Sequence, residues 1–196
     1  MEVRQKLLAR GIQLEVISMA WMAIEFVLGV SAGIHAGSIL LIAFGLDAFL
    51  ETIAGGILIW RLRAEYNGAD AKTVARVERT ASRLVKGILL LLSGYVLITS
   101  VMNLINHEMP AESGIGLVIA IMSVILMPIM TTMKRRIGDR IQSEALRDDA
   151  MCNVTCAVLA ALVLGGMVLT ALFGLWWADA VAAILFAIYV GREGLE

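Results

Sequence analysis

Two pairs of side chains in this sequence combine metal-binding chemistry with helical spacing. Asp47 and Glu51 stand four apart in Phe44-Gly45-Leu46-Asp47-Ala48-Phe49-Leu50-Glu51, and the two cysteines, Cys152 and Cys156, stand four apart in Asp149-Ala150-Met151-Cys152-Asn153-Val154-Thr155-Cys156. On a helix such residues share a face, about 6 Å apart in height, so the members of each pair can share a ligand. An ionisable group near a bilayer centre costs at least about 2.5 to 3.5 kcal/mol, and groups of this kind mark substrate or proton pathways. Two carboxylate oxygens and two thiolates around one point form a tetrahedral set that suits zinc, cadmium or another thiophilic divalent ion, and suits magnesium or calcium poorly. A disulfide is not expected, because successive turns of a helix do not aim their Cβ atoms at each other as a bridge requires.

The elements that must carry these pairs follow from composition. Of 196 residues, 60% are hydrophobic and 17% charged, with a mean hydropathy of +0.86; a soluble domain runs nearer half apolar and a quarter charged. A bilayer core of about 30 Å takes about 20 helical residues, so this length has room for roughly six spans. Apolar runs fall at about 12–33, 38–60, 86–105, 114–133, 149–173 and 177–191. The expectation is an all-α membrane protein, a single domain over 1–196 with six transmembrane helices and no soluble domain. The first run lacks the short apolar core and small-residue cleavage site of a secretory signal, so it reads as a retained helix.

A net charge of -1 gives no footprint for a nucleic-acid partner, but the 16 cations are sorted by side. Arg4, Lys6 and Arg10 precede the first run; the link after the second holds Arg61, Arg63, Lys72, Arg76, Arg79, Arg83 and Lys86 and reads as helical from Asp70 onward; Lys134, Arg135, Arg136, Arg140 and Arg147 lie between the fourth and fifth; Arg192 closes the sixth. The other three links carry none. Positive residues stay cytoplasmic, which puts both termini inside a multi-pass protein of the cytoplasmic (inner) membrane. Counted from the nearest cations at 1.5 Å per residue, Glu51 lies about 15 Å deep and Cys156 about 13 Å, with Asp47 at about 21 Å and Cys152 at about 7 Å. The pairs thus approach one another near the midplane.

At these residues the chain resembles the cation diffusion facilitators. Members carry two ligands four apart on the second of six spans and a histidine and an aspartate four apart on the fifth. Ala36-Gly37-Ser38-Ile39-Leu40-Leu41 resembles the approach to that second span, Ser143-Glu144-Ala145-Leu146-Arg147-Asp148-Asp149-Ala150 the approach to the fifth, and Trp176-Trp177-Ala178-Asp179 the start of the sixth. The resemblance covers nearly the whole chain. It implies that Asp47, Glu51, Cys152 and Cys156 hold the metal, with Glu51 in place of a shorter aspartate and Cys/Cys in place of His/Asp. The family's cytoplasmic metal-binding domain is not expected here, since the sequence closes just after the sixth run.

The function this implies is efflux of a zinc- or cadmium-like divalent ion by proton antiport. Metal binds the deprotonated ligands, so its arrival expels protons. Glu25, deep in the first run, and Asp149, at the start of the fifth, are the candidates for passing protons or orienting a ligand. Asp148 and Asp149 also suit a helix N-terminus. Glu15 reads as an interfacial residue, and His35, His107, Glu108 and Glu112 as residues of the outward links. Gly29, Gly33 and Gly37, four apart, permit close helix contact and leave room for a homodimer through the spans. No phosphate loop, zinc-protease motif or nucleophile elbow is present, so the chain does not read as an enzyme or an ATP-driven pump. The competing readings are a metal-binding or accessory membrane protein without transport, and a membrane thiol oxidoreductase using the two cysteines.

Overall fold

Long apolar stretches become helices in lipid because only internal hydrogen bonds can satisfy the backbone there. The computed structural model describes residues 2–66, 71–107 and 110–195; Asp70, Glu108 and the side chain of Asp148 lie outside what is described. Six helices follow one another: α1 (Glu2–Ala36), α2 (Ile39–Tyr66), α3 (Ala71–Asn106), α4 (Gly114–Ile141), α5 (Glu144–Phe173) and α6 (Ala178–Leu195). Gln5–Ala36, Ile39–Arg63, Gly114–Ile141 and Asp149–Phe173 are long and apolar enough to cross a membrane, and α3 has a shorter apolar stretch, Leu90–Asn106. Large apolar side chains lie on the outside of the bundle as well as within it: Leu91 and Ile98 are 75% and 64% exposed, whereas Phe44, in the core, has no exposed surface.

Helix α1 packs along α2, α4 along α5 and α3 along α6, with further contacts of α1 on α4 and of α2 on α5. Glycine sets the first of these. A Cβ on Gly45 would lie 2.6 Å from the backbone nitrogen of Val30, and one on Gly33 would lie 2.7 Å from that of Ile42. Gly29 and Gly33 are therefore used inside the chain, and Gly37, at φ +66°, turns α1 into α2. Ser38 caps α2: its Oγ accepts from the Leu41 nitrogen at 3.1 Å and donates to Asp179 Oδ1 at 2.6 Å, tying the start of α2 to the start of α6. Ser113 and Ser143 cap α4 and α5 in the same way, through Gly116 and Leu146.

The helices run past the apolar stretches on the cation-rich side, where Leu8, Leu58, Leu62, Ile141 and Leu146 form a second, smaller core. Glu15, which the sequence placed near the cytoplasmic end of the first run, and Lys134, one of the cations of the fourth link, both have fully buried side chains. The reason is that α1, α4 and α5 continue and pack beyond the point where hydropathy falls. His35 and His107 lie exposed on the opposite side.

Candidate metal centre

Asp47 and Glu51 point from successive turns of α2 toward α5, which supplies Cys156. One ligand atom from each of these three residues lies within 4.8 Å of the other two. Asp47 is buried, Glu51 half-buried, and the Cys156 thiol has no exposed surface. The Glu51 carboxyl lies beside the Cys156 thiol, and Glu51 Oε2 has no hydrogen-bond partner among the described residues. Two oxygens and one sulfur at this separation can close on one divalent ion and leave a fourth tetrahedral position.

Cys152 stands one turn toward the cation-rich side, half-buried and outside this trio. Neither cysteine is in a disulfide. Glu25 of α1 lies outside the trio and is fully buried. Its Oε1 accepts from Trp21 Nε1 at 2.7 Å and from Ser123 Oγ of α4, while Oε2 has no hydrogen-bond partner among the described residues. That arrangement holds one oxygen fixed and leaves the other available.

Asp149 joins a second cluster instead. Its Oδ2 lies 2.5 Å from Lys134 Nζ, which also lies 2.8 Å from Glu15 Oε2 and 3.4 Å from Asn153 Oδ1. Sequence reasoning missed Trp21, Ser123, Asn153 and the role of Lys134. Ser123 and Asn153 do show as polar residues within apolar runs, but Lys134 has the signature of an ordinary positive flank.

Among proteins of known sequence, the cation efflux transmembrane domain matches residues 16–196. The chain is 29% identical over 167 residues to magnetosome protein MamB of Paramagnetospirillum magneticum, covering 84% of this chain and 56% of that protein. It is 24% identical over 174 residues to the cation-efflux pump FieF of Shewanella oneidensis, with the same coverage. Against transmembrane protein 163 of Xenopus laevis the identity is 25% over 154 residues, covering 78% of this chain and 53% of that protein. The chain thus spans about half the length of the curated relatives it matches.

Proposed function

The chain belongs to the cation efflux family, the cation diffusion facilitators, and from that premise we propose that it moves a thiophilic divalent metal such as zinc or cadmium out of the cytoplasm across the cytoplasmic membrane. Asp47, Glu51 and Cys156 hold the ion between α2 and α5. The observation that carries this reading is the convergence of three ligand atoms within 4.8 Å, buried between two helices. Cys152, one turn away on the same helix, supplies the fourth ligand when the ion is bound.

Coupling follows from the chemistry of the donors. A metal binds carboxylate and thiolate, and the protons that these groups hold must leave as it arrives. If the ion departs toward one face and protons return from the other, the cycle is antiport. Glu25, with one oxygen anchored by Trp21 and Ser123, takes and returns a proton beside the ligands.

The test is proton release on binding. Adding zinc to the protein in weakly buffered detergent acidifies the solution, and the Asp47→Asn/Cys156→Ala variant releases no protons. Equal release from the variant contradicts the assignment of the site. Release without any flux in vesicles favours a metal-binding protein that does not transport.

A further inference from the structure

The cluster around Lys134 lies outside the metal centre, and its burial needs a reason. Its Nζ is surrounded by three oxygens from two other helices: Glu15 Oε2 of α1 at 2.8 Å, and Asp149 Oδ2 and Asn153 Oδ1 of α5 at 2.5 and 3.4 Å. Lys134, Glu15 and Asn153 have no exposed surface. Desolvating an ammonium and two carboxylates is expensive, and apolar side chains would seal three helices at least as well. Ionisable groups at such a depth are retained for what they bind or pass on.

The position is on the route to the centre. Asp149 lies seven residues before Cys156 on α5, about 10 Å toward the cation-rich side. Glu15 faces α2 at Gly55, one turn from Glu51, where a Cβ would lie 2.6 Å from its Oε1. That same Oε1 is buried with no hydrogen-bond partner among the described residues, a carboxylate oxygen left over beside the cage. With both carboxylates ionised, one ammonium leaves the cage with a charge of -1, whereas a divalent ion leaves it neutral.

We propose that Glu15, Asp149 and Asn153 form an access site for a divalent metal cation between the cytoplasmic face and the centre, and that Lys134 occupies this site as a tethered counter-ion until an arriving ion displaces it. The four-carbon stem of Lys134 lets the ammonium swing out toward the polar end of α4, where Arg135 and Arg136 are exposed. The oxygen donors give the access site little preference among divalent ions, so selection falls to the sulfur-bearing centre deeper in. The assignment extends the transport reading, but the cage itself stands on the ion cluster.

Zinc bound per chain is counted by equilibrium dialysis of the full chain in nanodiscs at fixed pH. In an Asp47→Ala/Cys156→Ala background, which lacks the centre, no tight zinc is expected. Adding Lys134→Met to that background restores one ion per chain, adding Glu15→Gln removes it again, and Lys134→Arg in place of Lys134→Met keeps the site closed. A well-folded Lys134→Met chain that binds no zinc there overturns the proposal, as does a restored ion that survives both Glu15→Gln and Asp149→Asn. If Lys134→Met does not fold, the native chain decides: labelling of the Lys134 amine by a membrane-permeant amine reagent, read by mass spectrometry, rises severalfold with zinc, and no rise overturns the proposal. Because the background lacks the centre, failure there leaves the transport reading standing. Loss of that reading would show instead as wild-type zinc binding insensitive to Asp47 and Cys156.

Discussion

Cys156 and Cys152 stand one helical turn apart, and only one of them joins the carboxylates. Only Cys156 lies within 4.8 Å of both carboxylates, so Cys156→Ser should abolish most of the thiolate-to-cadmium absorption and weaken cadmium more than zinc, while Cys152→Ser has the smaller effect. A larger loss for Cys152→Ser in a cadmium titration would reverse the assignment. Ser123→Ala leaves Glu25 held by Trp21 alone and should slow zinc flux in vesicles severalfold while leaving zinc affinity nearly unchanged. Flux assays and calorimetry on the variant check this, and an unchanged rate would remove Glu25 from the proton path. The carboxylate pair and the cysteine pair were legible in the sequence because i, i+4 spacing is a property of any helix. Which cysteine turns inward was not, since that depends on how α5 is rotated against α2. The burial of Glu15 and Lys134 was not legible, because hydropathy marks the edge of an apolar run, whereas burial there is set by helices that continue beyond it.

At the scale of elements, the contact of α1 with α2 is set by backbone approach at glycine. A methyl group on Gly45 would meet the Val30 nitrogen at 2.6 Å, and backbone does not move aside cheaply. Gly45→Ala should therefore destabilise the bundle by about 1 to 3 kcal/mol. Gly94 of α3 has nothing within 4 Å of a Cβ, so Gly94→Ala should be neutral or slightly stabilising through helix propensity. Thermal unfolding in detergent distinguishes the two, and equal effects would contradict the close crossing. The number of helices was readable from the apolar runs, and the caps at Ser38, Ser113 and Ser143 are short sequence signals for helix starts. The partner of Ser38 was not readable: Asp179 lies 141 positions away, and only the folded bundle brings the two together.

For the molecule as a whole, the 16 cations give the bundle a side, and the Lys134 cluster and then the centre lie in sequence from that side inward. Helices α1, α2, α4 and α5 surround this path, while α3 and α6 pack against its flank. Metal and protons competing for the same ligands require that binding weaken as pH falls, by up to about tenfold per pH unit for each proton released. A pH-independent affinity would break the coupling. The central claim, proton-driven metal movement through the Asp47–Glu51–Cys156 site, is tested most directly by zinc and cadmium flux in vesicles carrying an imposed pH gradient. Metal should accumulate on the more acidic side in exchange for protons, faster with a steeper gradient, and Asp47→Ala and Cys156→Ala should each reduce the rate to that of protein-free vesicles. Flux at the wild-type rate in both variants, or flux indifferent to the gradient, would contradict the account.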